Sequence, residues 1–396
     1  MAFALLDEKK VPVTREVPQY SIHLDAARGA AALVVLVGHL KLFFVSSASA
    51  SQPTKSHTSV AVNLKPAGIS VGKNGLSFAH EAVMVFFVLS GFLVGGSVIR
   101  MLQRGQWSWK KYLIHRTVRL WMVLIPALFI GYTLDQIGVH YFLGRGTVYD
   151  LGPILPAWNL QARLTPFTFL GNLFFLQGDR VTPLGSNQPL WSLGYEFWYY
   201  MAFPCLALAL IRGVIVWKRL LLLAGMIAIL IFVGREIATY FAIWLLGALA
   251  ALLPLRIPEK SQRLFAALSL LLILAVNVFS IVRAPGPFLT DSLQGLSFFL
   301  ALYCFLHFRR PSGYGLYRRC ARFMSRISYS LYVTHGPVLC MASAVLVGKF
   351  RRMPLNGHTI LLLAEVMVPV TLAACTVHYL FEARTDQVRS YLEARL

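Results

Sequence analysis

Ionisable side chains occur inside long apolar stretches of this sequence, where each charge costs about 2.5–3.5 kcal/mol at the centre of a bilayer. The first such stretch contains Asp25, Arg28 and His39. Asp25 and Arg28 are three residues apart, so a helix places them on one face, where they can pair. His39 lies eleven residues beyond Arg28, which is roughly 16 Å along a helix. An imidazole at that depth is either a proton acceptor in a reaction or a core histidine bonded between helices.

The second and third apolar stretches carry residues suited to binding. Ser90 precedes Gly91 in FFVLSGFLVGG, and such small residues allow a close approach by another backbone or an extended ligand. Arg116 and Arg119 are three residues apart at the start of the third stretch. Two guanidinium groups on one face suit a phosphate, because each can donate two parallel hydrogen bonds. The alternatives are helix packing for Ser90 and membrane orientation for the two arginines.

Two later stretches place polar groups among aromatic ones. Glu196 follows Trp191 in QPLWSLGYEFWYY, and a carboxylate at the start of an apolar stretch needs a partner or a role. Tyr332 and His335 are three residues apart in ISYSLYVTHGPV and share one helix face. An aromatic belt at the membrane interface explains Tyr332 alone but not the histidine beside it.

The composition places these residues in a polytopic membrane protein. Of 396 residues, 57% are hydrophobic and 13% are charged, whereas soluble chains are about 45–50% apolar and about 25% charged. These values, with a mean hydropathy of +0.64, exclude disordered, fibrous and ordinary cytosolic classes. The net charge of +21 comes from basic residues in short loops, so no nucleic-acid partner is expected. The five cysteines have no spacing typical of a metal site or a disulfide framework, so no metal is expected.

The predicted fold is all-α, a single domain over residues 1–396 with about ten transmembrane helices in the lipid bilayer. A bilayer core needs roughly 20 apolar residues per helix. Tails are predicted at 1–23 and 383–396, and the spans occupy 24–382. A short run at 164–177 contains Pro and Gly and is interpreted as a re-entrant or interfacial piece. The predicted spans are 26–46, 79–99, 118–136, 190–211, 218–234, 237–254, 264–283, 288–308, 327–347 and 359–380.

Basic residues predict the orientation of the chain. Most lysines and arginines lie in segments that share one side with both termini, and the positive-inside rule assigns that side to the cytoplasm. The cluster of Lys349, Arg351 and Arg352 falls on the outer side, as an exception or as a substrate-facing patch. The small residues of FFVSSASASQP resemble a signal-peptidase site, but the charges within the first span favour a retained helix. The expected location is the cell inner, or plasma, membrane.

Six segments together resemble the acyltransferase family 3 of integral membrane acyltransferases. They occur in the family's order from residue 24 to about residue 340, with weaker agreement to the end. No single segment identifies the family. Six segments in the family's order, together with ten predicted spans, are specific for it. The segments are LDAARGAAALVVLVGHL, FFVLSGFLVGG, HRTVRLWMVLIP, LGNLFFLQ, QPLWSLGYEFWYYMAFP and ISYSLYVTHGPV.

The resemblance extends to individual positions. The family's Arg followed by ten residues and a His corresponds to Arg28 and His39. Its paired basic residues correspond to Arg116 and Arg119. Its Trp-Ser-Leu-x-x-Glu motif corresponds to Trp191, Ser192, Leu193 and Glu196. Its Tyr-x-x-His motif corresponds to Tyr332 and His335.

The chain also departs from the family pattern in two places. Met84 stands where many members have an acidic residue, which weakens the transfer of any role to an acid in that span. The usual Glu-x-Pro near the C-terminus is Glu382-Ala383-Arg384. No fused periplasmic hydrolase-like domain is expected, because the chain resembles the stand-alone form of the family.

The resemblance implies transfer of an acetyl or similar acyl group from coenzyme A, on the cytoplasmic side, to a hydroxyl. Acyl-CoA, by family habit acetyl-CoA, is a co-substrate, and no bound cofactor is expected. The acceptor is a saccharide of the cell envelope or an exported one, or a small molecule. His39 is predicted as the general base, or as a nucleophile that forms an acyl-imidazole. Arg28, braced by Asp25, contacts the donor or the thioester oxygen.

The other candidates divide into two groups by what the resemblance implies. The donor-binding group is Arg116, Arg119 and Ser90, and the acceptor-binding or helper group is Glu196, Tyr332, His335 and Trp191. The rival function is a transporter or flippase of a glycan or anionic solute with a proton-relay histidine. The sequence has no inverted repeat and no pair of broken helices at matching positions, which are typical of transporters. A structural subunit of a polysaccharide assembly leaves the charges of the first span unexplained.

Overall fold

The described part of the protein is almost entirely helical. A computed structural model describes residues 22–46, 78–152, 158–254, 257–283, 286–306 and 315–395, and a pair of two-residue strands. The helices are α1 Ile22–Phe44, α2 Ala79–Ser90, α3 Gly96–Gln103, α4 Trp109–Phe142, α5 Pro166–Leu173, α6 Trp191–Ala209, α7 Val216–Val233, α8 Arg235–Leu252, α9 Glu259–Arg283, α10 Pro287–Phe305, α11 Gly315–Ala342, α12 Gly357–Leu380 and α13 Thr385–Arg395.

Short elements complete the fold. The strands β1 Leu64–Lys65 and β2 Gly68–Ile69 pair in antiparallel fashion. Segments of π-helix join α2 to α3 and extend α11, at Gly91–Gly95 and Ser343–Val347. Single 3₁₀ turns lie at Val148–Asp150, Gln161–Arg163, Gln188–Leu190 and Glu382–Arg384. Most of the predicted N-terminal tail and of the signal-peptidase-like segment falls outside the described residues.

The prediction of an all-α polytopic membrane protein is confirmed. Within the described ranges, nine helical runs are long and apolar enough to cross a membrane. They correspond to nine of the predicted spans. The remaining one, predicted at 190–211, is present as α6, whose Trp, Tyr and Glu side chains lower its hydropathy. Helix α5 has eight residues, roughly 12 Å, which is too short for a bilayer core of about 30 Å. The side on which the termini lie stays a prediction.

Two helices begin nine or more residues before their predicted spans. Helix α4 has 34 residues and begins at Trp109, whereas its span was predicted to begin at 118. Helix α11 begins at Gly315, twelve residues before the predicted 327. The added turns are rich in Arg and Lys, which are good helix formers but lower the hydropathy. Hydropathy therefore predicts the part of a helix that crosses the bilayer and not the turns that extend beyond it.

The chain divides into two compact units, each built from three segments. Unit 1 contains Met1–Ala30, Val83–Arg116 and Tyr195–Ser325. Unit 2 contains Ala31–Ala82, Thr117–Gly194 and Arg326–Leu396. The divisions fall within α1, α2, α4, α6 and α11, so Arg28 is counted in unit 1 and His39 in unit 2.

In unit 1, the π-helical segment packs directly against α8. A Cβ atom at Gly91 would overlap the carbonyl oxygen of Trp244, and one at Gly247 would overlap the carbonyl oxygen of Val88. Glycine is required at both positions because the two backbones touch. The close contact brings the Trp244 side chain against Ser90, the last residue of α2. The π-helical segment thus sets the position of one predicted site residue.

Replacement of Gly91 by alanine is expected to destabilise the protein by about 1–3 kcal/mol or more, because a buried methyl group forces the two backbones apart. The matched control is Gly225→Ala in α7, where an added Cβ meets no atom within 4 Å. The control should be neutral or stabilising by about 1 kcal/mol, because alanine is the better helix former. Thermal unfolding in detergent measures both variants. Equal unfolding temperatures for the two would contradict the close packing.

In unit 2, a loop before α6 is fixed from two sides. The Asp135 carboxylate of α4 accepts hydrogen bonds from Ser186, at 2.7 Å from the backbone N and 2.8 Å from Oγ. The Asn187 side-chain amide donates to the Val333 carbonyl of α11 at 2.7 Å. Gly185 has a φ of 52°, and a Cβ there would overlap the Asp135 carboxylate. The loop is therefore held between α4 and α11.

Candidate active site

Two imidazoles from helices far apart in sequence meet in unit 2. The Nε2 atom of His335 lies 2.9 Å from Nδ1 of His39, and the ring centroids are 5.0 Å apart. His335 is 1% exposed, and its Nδ1 lies 3.0 Å from the Leu331 carbonyl oxygen. His39 is partly exposed. Of this imidazole pair, defined as His39 and His335, the first is the more exposed ring.

Tyr332 and Trp191 lie in the same unit as the imidazole pair. The Tyr332 hydroxyl is 2.6 Å from the Ser192 hydroxyl, and its ring centroid is 6.0 Å from that of His335. The Trp191 ring stacks on His80, with centroids 5.4 Å apart and planes inclined by 18°. Within the Trp-Ser-Leu-x-x-Glu motif, Trp191 thus contacts the start of α2 and Ser192 contacts α11.

The loop before α6 approaches the imidazole pair. A Cβ at Gly336, the residue after His335, would lie 3.2 Å from Asn187 Oδ1 and 3.2 Å from the Ser186 carbonyl oxygen. Asn187 is 2% exposed, and its Oδ1 has no hydrogen-bond partner among the described residues. Neither the Asn187 amide nor Asp135, which anchors the loop through Ser186, was predicted from the sequence. A lone carboxylate within an apolar stretch was the available signal for Asp135.

Arg119 of unit 2 takes part in a buried polar cluster at the end of α12. Its Nη2 lies 4.0 Å from the Glu382 carboxylate. The same carboxylate accepts from the Ser330 hydroxyl at 2.7 Å and lies 3.1 Å from His378 Nδ1. The Arg119 side chain is 50% exposed and that of Glu382 is 7% exposed. Glu382 therefore links α4, α11 and α12, while the guanidinium keeps an open side.

Asp25 and Arg28 of unit 1 are bridged by a hydroxyl. The Ser325 Oγ donates to Asp25 Oδ1 at 2.8 Å, and Arg28 Nη1 lies 3.3 Å from the same Oγ. Gly29, the residue after Arg28, packs tightly against α11, because a Cβ atom at Gly29 would lie 2.6 Å from Met324 Cβ. The predicted bracing of Arg28 by Asp25 thus passes through Ser325, a residue that sequence spacing does not reveal.

Ser90 and Glu196 of unit 1 share one hydrogen-bonded cluster. The Ser90 hydroxyl donates to Glu196 Oε1 at 2.8 Å and accepts from Trp244 Nε1 at 3.1 Å. The Tyr200 hydroxyl donates to the same carboxylate oxygen. The two predicted residues were assigned to different substrates, whereas their side chains are direct partners. Tyr200 and Trp244 were not predicted, because aromatic residues in an apolar span are ordinary core residues.

Arg116 lies against the aromatic rings of Tyr112 and Tyr200. Its guanidinium carbon is 5.6 Å from the centroid of the Tyr112 ring and 5.8 Å from that of Tyr200. The Tyr112 hydroxyl donates to the Tyr200 carbonyl at 2.9 Å, which fixes both rings. The Arg116 Nε is buried and has no hydrogen-bond partner among the described residues.

Three exposed cations follow the π-helical extension of α11, namely Lys349, Arg351 and Arg352. Main-chain hydrogen bonds tie their segment to the end of α1, from Met353 N to the Phe44 carbonyl at 2.9 Å and from Ser46 N to the Met353 carbonyl at 2.8 Å. This basic patch, defined as these three cations, is thus next to the C-terminal end of the helix that carries His39.

The loop between α4 and α5 also approaches this end of α1. The Trp158 ring packs edge-on against Phe43, with centroids 5.7 Å apart. Burial lowers the pKa of Arg163 to about 10, so its guanidinium is still cationic at neutral pH. Both side chains have a buried N–H without a partner in the described part of the chain.

The comparison with protein families decides between the functional classes. The family model described as an acyltransferase domain, that of acyltransferase family 3, matches residues 22–380. The chain belongs to acyltransferase family 3. No curated protein and no solved structure matches it.

As a member of acyltransferase family 3, the chain is a membrane acyltransferase. The matched region begins at the first residue of α1 and ends at the last residue of α12. It includes every predicted site residue, whereas Glu382 and helix α13 follow it. Among the described residues, no group of three or more His, Cys, Asp or Glu side chains is arranged to hold a metal ion.

Proposed function

We propose that the protein is a membrane O-acyltransferase that moves an acetyl or short acyl group from acyl-CoA to a hydroxyl of a cell-envelope or exported saccharide. The observation that carries this proposal is the imidazole pair, in which a partly exposed His39 is bonded to a buried His335. A paired, reachable imidazole suits general-base catalysis at neutral pH, because its ordinary pKa is about 6.5.

His39 removes the proton from the acceptor hydroxyl while the hydroxyl oxygen attacks the carbonyl carbon of the thioester. The C–O bond forms, the C–S bond breaks, and the thiolate of coenzyme A takes the proton from His39. The products are an ester and a free thiol. General-base catalysis of this kind contributes about 10²–10⁴-fold to the rate.

The arginines are proposed to bind the donor. Arg28 is assigned to the donor or to its thioester oxygen, and the Ser325 hydroxyl keeps its guanidinium in place. The Arg116 Nε–H has no hydrogen-bond partner among the described residues, and Arg119 has an exposed guanidinium, so each suits a phosphate oxygen of coenzyme A. Ser90 and Glu196 hold the Tyr200 hydroxyl, and the Tyr200 ring lies against Arg116.

The acceptor is proposed to approach from the opposite end of α1. We place the protein in the inner membrane of the cell with both termini in the cytoplasm. The basic patch then faces outward. The patch and the loop between α4 and α5 adjoin the last turn of α1, where Phe43 is four residues after His39. A saccharide with negative charge suits this surface, because exposed cations attract it over several ångströms.

Replacement of Lys349, Arg351 and Arg352 by glutamine is expected to raise the KM for an anionic acceptor about tenfold, with kcat unchanged. The effect should disappear at about 1 M salt, where the Debye length is about 3 Å. The matched control replaces three exposed arginines at the start of α11, namely Arg318, Arg319 and Arg322. An unchanged acceptor KM would show that the patch is only an exception to the orientation rule.

The function is tested by ester analysis of glycans from a deletion strain complemented with wild-type or His39→Ala protein. Nuclear magnetic resonance counts O-acetyl and other ester groups. Loss of one ester, restored by the wild-type protein alone, would establish the transferase and identify the acceptor. Intact esters with a glycan that stalls inside the cell would instead support a transporter. Release of free thiol from acetyl-CoA by detergent-solubilised protein provides a second test, because a transporter does not cleave the thioester.

A further inference from the structure

The hydrogen bonds of the imidazole pair determine where its protons lie. A neutral imidazole carries one N–H, and the nitrogen that carries it follows from the partners of the ring. His335 Nδ1 faces the Leu331 carbonyl oxygen at 3.0 Å, and a carbonyl oxygen only accepts. His335 is therefore protonated at Nδ1, and its Nε2 holds the lone pair.

The same reasoning extends to the second ring. His335 Nε2 lies 2.9 Å from His39 Nδ1, and because Nε2 is the acceptor, Nδ1 of His39 must carry the proton. The lone pair of His39 is then on Nε2. Resting on the transferase function proposed above, we propose that His335 is a positioning residue that holds His39 in the Nδ1–H tautomer, so that Nε2 of His39 is the catalytic base.

This arrangement also favours the charged form that arises during the reaction. When His39 Nε2 takes the hydroxyl proton, the ring becomes an imidazolium whose Nδ1–H still donates to His335 Nε2. A hydrogen bond from a charged donor is roughly twice as strong as one between neutral groups. His335 remains neutral throughout, which suits a ring that is 1% exposed. The proton returns from His39 Nε2 to the thiolate, and the original tautomer is restored.

Two substitutions at His335 separate this role from simple packing. In His335→Gln, the side-chain carbonyl oxygen can take the place of Nε2 and accept from His39 Nδ1–H, so kcat should stay within about tenfold of wild type. In His335→Leu, the imidazole acceptor is lost and only the Val35 carbonyl, which also bonds the His39 ring, remains, so kcat should fall by about 10²-fold. The KM values for acyl-CoA and acceptor should change little in either variant. Thermal unfolding in detergent shows that both variants are folded.

The tautomer itself is measured by nitrogen-15 magnetic resonance on protein labelled at histidine, with the His39 signals identified by their loss in His39→Gln. We expect a protonated Nδ1 and an unprotonated Nε2 for His39 at a pH where the ring is neutral. A protonated Nε2, or equal kcat in His335→Gln and His335→Leu, would overturn the role of His335. Absence of transferase activity in the wild-type protein would overturn the proposed function alone, because the spectrum reports the tautomer without a substrate.

Discussion

Replacement of His39 by alanine should lower kcat about 10²–10⁴-fold, the range that a general base contributes. The imidazole is the partly exposed member of the pair, and in the proposed mechanism its loss removes the group that takes the proton of the acceptor hydroxyl. The KM for acyl-CoA should change little, because donor binding is assigned to the arginines. Ester formation by purified protein in detergent, measured at saturating substrates, gives kcat directly.

The control for His39→Ala is the amount of inserted, folded protein, measured by membrane yield and unfolding temperature. Full activity in a variant that inserts normally would reject His39 as the base. The nucleophile alternative has its own signature, since an acyl-imidazole would accumulate when donor is supplied without acceptor. Rapid quenching and peptide mass spectrometry would detect acetyl on His39. An acetylated His39 would replace general-base catalysis by a two-step transfer.

Replacement of Arg28 by leucine is the second large effect expected, with kcat lower by about 10²–10³-fold. This is the typical cost of removing one hydrogen-bond donor from a developing oxyanion. Arg28→Lys keeps the charge but loses the planar fork of donors, so its activity should lie between wild type and leucine. Kinetics at varied acyl-CoA concentration measures both variants and shows whether the loss is in kcat or in KM.

Ser325→Ala is the matched test for the bridge between Asp25 and Arg28. The variant keeps the arginine and removes the hydroxyl that contacts both side chains. A loss smaller than that of Arg28→Leu is expected, because the guanidinium is still present but less fixed. A loss in Arg28→Leu that is confined to the KM for acyl-CoA would assign Arg28 to donor binding and exclude contact with the thioester oxygen.

The sequence was sufficient to predict most of the fold because apolar length alone marks a membrane span. Every predicted span corresponds to a helix, and the short run at 164–177 contains the eight-residue α5. The errors are at helix ends, where α4 and α11 continue into basic turns. Those turns are helical but not apolar, so their ends have no hydropathy signal.

The candidate site was predicted less completely, because spacing reports only neighbours on one helix. Tyr332 and His335 were placed on one face of α11, and Arg28 and His39 on one helix. The contact between His39 and His335 joins residues 296 positions apart and depends on helix packing. Ser325 and Tyr200 are ordinary residue types whose roles depend on which side chain lies opposite, whereas Asp135 had a signal as a lone carboxylate within an apolar stretch.

The hydrogen-bonded chain from His39 through His335 ends at the Leu331 carbonyl oxygen, which can accept a hydrogen bond but cannot take up a proton. In the proposed mechanism, a proton that His39 Nε2 takes up therefore leaves through the same atom. The imidazole pair would then store one proton for as long as the leaving thiolate needs to form and collect it.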